Sequence, residues 1–213
     1  MGYIAKDTGG GSDWEPVPTG THLARCVTAV DLGLQATGYG TKEKFYLGWE
    51  CCGVRVTWEK DGKQHEGPAL IGSRYTTSIH PKSILGQHLV SWRGKEFTAE
   101  EREGFDLFNV LGAPCMLSVV HVNKDNKVYA NVAAIMKVPQ GTTIPEAETE
   151  LVGYSATHPT YSGTIDKLPE WLKKLAMDGQ IQQTPTVGQN EIHGANAPPS
   201  PPPVDDFDDD IPF

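Results

Sequence analysis

The last nine residues of the chain combine acidic and apolar side chains in a pattern that suits docking to another protein. Five aspartates lie between residues 205 and 210, and the apolar residues Ile211, Pro212 and Phe213 follow them. A phenylalanine beside a chain terminus suits a pocket with an apolar floor and a basic rim, and the proline keeps the residue before it extended. The alternative, a solvated acidic tail, gives no reason for this apolar ending. The predicted partner-binding residues are Asp208, Asp209, Asp210, Ile211, Pro212 and Phe213.

A second set of residues has the chemistry that unpaired nucleic acid requires, namely cations for the backbone and flat rings on which bases stack. The candidates lie on polar faces of predicted strands or near strand and helix ends. Tyr129 is the strongest of them, because Lys127 and Asn131 share its face. The predicted contacts to DNA are Lys44, Tyr46, Trp58, Arg74, Arg93, Lys95, Lys127, Tyr129 and Asn131.

Structural roles compete with this interpretation at several positions. Trp58 shares a strand face with two valines, although basic residues lie near it in the sequence. Arg93 and Lys95 end a predicted helix, where cations satisfy the helix dipole without any ligand. Other aromatic residues have aliphatic neighbours on their strand faces and are predicted to belong to the core: Phe45, Trp49 and Tyr75.

The elements that must position these side chains are mostly strands. Alternation of apolar and polar residues predicts strands over 21–32, 44–51, 54–58, 70–79, 115–123 and 127–138. Asp-Gly at 61–62 predicts a hairpin turn. Apolar residues at three- and four-residue spacing predict a helix from Pro81 to Trp92, and Thr98 with Glu101 predicts a capping box.

This order of strands, one helix and two further strands is that of the five-stranded oligonucleotide-binding (OB) barrel. We therefore expect an all-β OB-fold with one inserted helix, a short C-terminal helix and a disordered tail. The surplus strand is assigned to an extended hairpin around residues 61–62. A ferredoxin-like sheet would need a helix after the first strand, and no such helix is indicated.

Composition divides the chain into five predicted regions. A domain over 18–140 binds single-stranded DNA, and an extension over 141–182 contains an amphipathic helix at 166–178. This helix is expected to pack on the barrel, with packing on a partner as the alternative. The three remaining regions are a flexible N-terminal arm over 1–17, a disordered linker rich in proline over 183–203, and the acidic tip over 204–213.

Charge is compatible with DNA binding once it is divided by region. The net charge is −9, but between residues 18 and 138 fourteen basic residues stand against twelve acidic ones. DNA binding depends on such local balance more than on the total. Four cysteines without metal-ligand spacing, scattered acids and the absence of a phosphate-binding loop predict no cofactor, no metal site and no catalysis. With neither a signal peptide nor an apolar span, a cytoplasmic location without membrane contact is expected.

The acidic tail resembles the C-terminal tip of the bacterial single-stranded DNA-binding protein family, in which an Asp-rich stretch ends in Asp-Ile-Pro-Phe. The body is similar to divergent phage-encoded proteins of this kind. The resemblance implies that the tip recruits replication, recombination and repair enzymes and does not itself hold DNA. The body stretches that carry the likeness are Gly48-Trp49-Glu50, Ser91-Trp92-Arg93-Gly94-Lys95 and Tyr129-Ala130-Asn131-Val132.

The resulting hypothesis is a non-catalytic, sequence-independent single-stranded DNA-binding protein, phage-encoded and acting in a bacterial host cytoplasm. One alternative is an interaction or decoy protein that displays the tip without binding DNA. Another is a recombination protein that anneals strands. Oligomeric state, RNA binding and the identity of the docking enzymes stay open at this level.

Overall fold

The computed structural model describes residues 15–60, 62–124 and 127–183. The predicted tip, the linker from residue 184 and residues 1–14 of the predicted N-terminal arm lie outside the described residues. Val17, which the prediction placed in that arm, is buried in the barrel core, and its carbonyl oxygen lies 2.8 Å from His121 Nε2. The folded part therefore begins before residue 18.

Six strands and three α-helices make up the described fold. The helices are α1 (Ile84–Arg93), α2 (Ala99–Glu103) and α3 (Glu170–Gln183). Short 3₁₀ turns cover Leu107–Val110 and Ile165–Lys167. The strands are β1 (Gly20–Thr37), β2 (Gly40–Lys60), β3 (Lys63–Thr76), β4 (Pro114–Lys124), β5 (Lys127–Met136) and β6 (Val152–Tyr154).

Five of the strands form one curled antiparallel sheet in the order β3-β2-β1-β4-β5. The outer strands β3 and β5 approach each other, so the sheet closes into a half-barrel, and β6 adds to β1 in parallel. The chain runs from β1 directly into β2, without the intervening helix that a ferredoxin-like sheet requires. The architecture is mostly β with a few helices and is consistent with an OB-like fold.

The long strand β1 pairs with β2, β4 and β6 and contributes side chains to two cores. Irregularities after Cys26 and Asp31 shift its register against β2. Cys26 and Ala29 pack inside the barrel, whereas Val30 and Leu32 belong to a second core outside it. The mixed apolar pattern of this strand therefore reflects two separate cores.

The barrel interior contains the aromatic residues that the sequence assigned to the core. Phe45, Trp49 and Tyr75 are buried together with aliphatic side chains of β1, β4 and β5. Trp92 of α1 packs on Trp49, with 6.0 Å between ring centroids, and its Nε1 donates to the carbonyl oxygen of Pro114. Helix α1 thus closes one end of the barrel.

Strands β2 and β3 form a longer hairpin than the sequence predicted. The segments predicted at 44–51 and 54–58 are one strand with an irregularity between Cys51 and Arg55, where Gly53 has a φ of 74°. Lys60 pairs with Lys63 on either side of the predicted two-residue turn, and Gly62 has a φ of 69°. The surplus strand is therefore part of an extended hairpin, as predicted.

The capping box is confirmed, but the predicted start of α1 is three residues early. Thr98 accepts a hydrogen bond from the Glu101 backbone, and the Glu101 side chain accepts one from the Thr98 backbone. Helix α1 begins after Ser83, whose hydroxyl accepts a hydrogen bond from Gly86 N. The serine satisfies an otherwise unpaired amide of the first turn, and this fixes the helix start.

The predicted alternation of β5 holds only for its first half. Ala130 and Val132 pack against the barrel core as expected, but Ile135 then faces the core in place of Ala134. The cause is an extra residue in β5: Ser118 of β4 pairs with Ala134 and Val119 pairs with Val132, so Ala133 lies between them and the parity of inward residues changes.

Helix α3 packs on the outer surface of the sheet, as expected, but it begins at Glu170, four residues after the predicted start. Leu172 and Ala176 meet Val30 and Leu32 in the second core. The predicted helix ended before Gly179, but this glycine lies inside α3. A Cβ at this position would overlap the carbonyl oxygen of Leu32. A glycine at this position permits close backbone contact rather than ending the helix.

The connection between β5 and α3 is tied to the barrel by a buried carboxylate. Glu50 is almost fully enclosed and accepts hydrogen bonds from the amides of Glu148 and Thr149, at 2.9 and 2.8 Å. Arg55 forms an ion pair with Glu148 beside it. Within the described ranges, no helix has both the length and the apolar character needed to cross a membrane.

Candidate nucleic-acid interface

The outward face of β2 and β3 carries two glycines directly opposite each other. Gly48 pairs with Gly72, and the ring of Tyr46 occupies the space their missing side chains leave. A Cβ on Gly72 would overlap the Tyr46 hydroxyl, and one on Gly48 would approach its ring to 3.1 Å. The pair therefore creates a shallow trough in which the tyrosine ring lies.

Trp171 of α3 completes a groove above this trough. Its ring meets that of Tyr46 edge to face, with 5.4 Å between centroids, yet 52% of the residue is exposed to solvent. The space between helix and sheet has a volume of about 400 Å³ and also borders Leu70, which is exposed. We call this space the aromatic groove. It presents an exposed ring beside an apolar floor, which is an arrangement that nucleobases can stack on.

Exposed cations lie on two elements that form the aromatic groove, β3 and α3, although neither cation lines it. Arg74 is exposed and is the cross-strand partner of Tyr46, and Lys174 is exposed one helical turn after Trp171. Burial raises the pKa of Tyr46 to about 12, Cys26 adds to this rise, and Arg74 opposes it. Tyr46 is therefore a neutral ring at physiological pH, with a positive charge near it on β3.

Lys44 lies next on the same face but is largely covered. Only 8% of the residue is exposed, and its Nζ donates to Thr76 Oγ1 at 3.0 Å across the two strands. The structure therefore brings Tyr46 and Arg74 together across the two strands, with Lys44 held against the sheet at one end.

Tyr129, Lys127 and Asn131 form a separate surface on the β4–β5 hairpin. Tyr129 is 44% exposed and pairs with Val122, and Asn131 pairs with Val120, which is also exposed. Lys127 is exposed at the hairpin end. The ring and cation of this hairpin share the outward face that the alternation predicted.

Trp58 lies on the projecting part of the β2–β3 hairpin. Its ring stacks on His65 with an interplanar angle of 15° and a centroid distance of 5.8 Å, and it covers Gly67. The residue is half-buried and touches the edge of the barrel core. Trp58 therefore has a packing role, and the part of its ring that stays open to solvent is the part that a bound strand could contact.

Arg93 and Lys95 lie at the C-terminal end of α1 and differ in their surroundings. The Arg93 guanidinium packs between Phe97 and Phe105, with its Cζ 4.4 and 5.0 Å from the ring centroids, and it pairs with Glu101. Lys95 is exposed. Neither residue lines the aromatic groove.

Trp171 was not predicted as a site residue, because Trp171, Leu172 and Leu175 together resemble one apolar helix stripe. Neighbouring residues of a helix point about 100° apart, so Trp171 lies at the edge of the stripe that is centred on Leu172 and Ala176. Leu172 is 1% exposed and fills the second core, which leaves Trp171 at its margin. This angular argument is the signal that could have found it.

Three of the scattered acidic residues have structural partners. Asp31 accepts hydrogen bonds from Gly33 N and the Ser155 hydroxyl, Glu66 pairs with Arg55, and Glu50 holds the connection described above. Across the described residues, no three His, Cys, Asp or Glu side chains are grouped so that they could hold a metal ion.

Comparison of the chain with known protein families, curated proteins and solved structures found no match.

Proposed function

We propose that the chain is a non-catalytic, sequence-independent single-stranded DNA-binding protein built on an OB-fold. It would protect single strands during phage DNA replication, recombination or repair, and it would recruit partner enzymes through residues 208–213. The observation that carries the proposal is the aromatic groove on the outward face of β2 and β3. In OB-folds, this face and the neighbouring loops bind oligonucleotides.

The chemistry of the groove supports stacking without sequence readout. Trp171 presents an exposed ring, and Tyr46 beside it is neutral and packed in place. Every base has a flat face, so stacking on such rings tolerates any sequence. Arg74 and Lys174 are exposed on β3 and α3, and we assign to them the phosphates of a strand whose bases enter the groove.

The second aromatic surface supports a longer path for the strand. Tyr129 and Lys127 on the β4–β5 hairpin combine one exposed ring with one exposed cation, in the same way as the groove. Loops between the fourth and fifth strands are among those that OB-folds use for oligonucleotides. Arg74 and Lys95 remain proposed contacts because they are exposed, and Trp58 remains one because its half-buried ring lies on the projecting hairpin.

A titration of the full-length protein with labelled oligo-dT tests the proposal. Anisotropy measured at several salt concentrations should give an affinity that falls with a log–log slope of about −0.7 per phosphate contacted. Equal binding of mixed-sequence oligonucleotides is expected, and oligo-rU tests the preference for DNA. Absence of oligo-dT binding even in dilute buffer would overturn the proposal and favour the decoy alternative.

The role of residues 208–213 has its own test in the full-length chain. Phe213→Ala should abolish capture of a bacterial repair enzyme that binds Asp-Ile-Pro-Phe peptides and should leave oligo-dT affinity equal to that of the unchanged protein. A large loss of DNA affinity in this variant would contradict the division between a DNA-binding body and a recruiting tip. A strand-annealing assay on the same protein tests the remaining alternative.

A further inference from the structure

A second cavity lies at the C-terminal end of α1, away from the residues that line the aromatic groove. It has a volume of about 490 Å³ and lies between the end of α1, the Leu107–Val110 turn and the end of β5. We call it the basic pocket. Its rim contains Arg93, Lys95 and Lys137, and its floor contains Trp92 and Phe105.

The floor of the basic pocket is apolar and fixed in place. The single polar atom of Trp92 is used, because Nε1 donates to the carbonyl oxygen of Pro114 at 2.8 Å. Phe105 packs edge to face on Phe97, with 5.1 Å between centroids. Trp92 is buried and Phe105 is half-buried, so a ligand in the pocket meets a limited apolar surface that suits a planar body.

The rim of the basic pocket has more positive than negative charge. Glu101 is the carboxylate that faces these cations, and it pairs with Arg93. Lys95 and Lys137 are exposed, and neither forms an ion pair within the described part of the chain. Three cations against one carboxylate leave two positive charges for a ligand.

Backbone geometry holds Lys137 over the end of the helix. Its amide donates to the carbonyl oxygen of Ser91, at 3.1 Å, and a Cβ on Gly94 would lie 2.8 Å from its Cδ. Gly94 has a φ of 66°, in the left-handed region where glycine is favoured. The glycine therefore ends α1 and leaves the space through which the lysine stem passes.

One further donor at the pocket has no acceptor. Nη2 of Arg93 pairs with Glu101, but Nη1 is enclosed and finds no hydrogen-bond partner among the described residues. Buried donors normally have an acceptor, and an unpaired one requires an explanation. An anion that enters beside the guanidinium would supply the missing acceptor.

We propose that the basic pocket binds a nucleotide phosphomonoester, with the base on the Trp92 and Phe105 floor and the phosphate between Lys95 and Lys137. A phosphomonoester carries about −1.5 to −2 charges and three acceptor oxygens, which matches the charge and donors of the rim. A carboxylate would leave one positive charge uncompensated. The phosphate can come from a free nucleotide or from the end of a bound strand, and this inference does not depend on DNA binding by the aromatic groove.

Calorimetric titration of the full-length protein with dTMP and with thymidine tests the proposal. We expect dTMP to bind about 10-fold or more tightly than thymidine, because hydrogen bonds to a charged group account for the difference. Lys137→Gln should remove this preference. Lys82→Gln, which deletes the same charge just before the other end of α1, should leave the preference unchanged.

Oligo-dT with a 5′ phosphate, a 3′ phosphate or no phosphate distinguishes the two sources. If a phosphorylated strand binds more tightly than the unphosphorylated one, strand ends are the ligand. If dTMP binds more tightly than thymidine but strand phosphorylation has no effect, the free nucleotide is the ligand. Lys95→Gln serves as a second variant should Lys137→Gln lower the unfolding midpoint. The proposal is overturned by equal affinities for dTMP and thymidine, or by affinities that neither lysine variant changes. Binding of the unphosphorylated strand reports on the proposed DNA-binding function alone.

Discussion

Replacement of Trp171 by alanine tests how much the aromatic groove contributes to DNA binding. The ring is half exposed and contacts Tyr46 at its edge, so it is available to stack on one base. Loss of one stacked base costs about 1–3 kcal/mol, which corresponds to a dissociation constant about 5- to 150-fold higher. Trp171→Phe, which keeps a flat ring, should recover most of the affinity.

The same substitution should change stability only moderately. Trp171 lies at the margin of the second core, and an edge-to-face contact between two rings contributes about 0.5–1.5 kcal/mol. By contrast, Leu172→Ala removes a fully buried side chain, so it should cost about 2–5 kcal/mol of unfolding free energy. Binding and stability therefore separate at two adjacent positions of one helix.

Met177→Ala is the matched control for Trp171→Ala. Met177 lies on α3 with a similar exposed fraction, 48%, but it does not line the aromatic groove. The unchanged protein, Trp171→Ala and Met177→Ala are compared by anisotropy titration with oligo-dT. Trp171→Ala alone should lose affinity, and urea unfolding should show that all three proteins are folded. If the protein binds oligo-dT and Trp171→Ala binds it equally well, the strand does not use this groove.

Three further predictions concern packing, pH and thiol chemistry. Gly179→Ala should lower the unfolding midpoint in urea because a Cβ there overlaps β1, whereas Gly163→Ala, with open space around it, should be neutral; equal midpoints would contradict the close contact. Burial lowers the pKa of His88 below its ordinary value of 6.5, so below that pH the unfolded chain binds the proton more readily and stability is lost as pH falls. His88→Gln should flatten this part of the curve of melting temperature against pH, and an unchanged curve would refute the assignment. Cys52 is half exposed and should react with Ellman's reagent before Cys51, because burial raises the pKa of the Cys51 thiol to about 12; Cys52→Ser should therefore remove the fast phase.

The order of the elements could be predicted from local patterns because each pattern had a local cause. Strand alternation, the turn near Gly62 and the capping box of Thr98 depend on residues a few positions apart. The start of α1 was placed at Pro81, although Ser83 provides the cap. Both residues are typical of helix starts, and the local sequence does not show which backbone amide of the first turn lacks a hydrogen-bond acceptor.

The features that were not predicted depend on contacts between distant parts of the chain. Strand β6 has three residues and is defined by its pairing with β1, more than a hundred positions earlier. Gly179 resembles a helix stop until the backbone of Leu32 is placed against it. The aromatic groove likewise needs Trp171 and Tyr46, which come together only when α3 packs on the sheet.

The facing pair Gly48 and Gly72 means that the groove depends on two absent side chains. A single methyl group at either position would alter its depth, while every inward-facing residue of the barrel could stay as it is. Ligand preference at this surface can therefore drift during evolution, or be redesigned in the laboratory, through steps that displace the Tyr46 ring and leave the barrel interior unchanged.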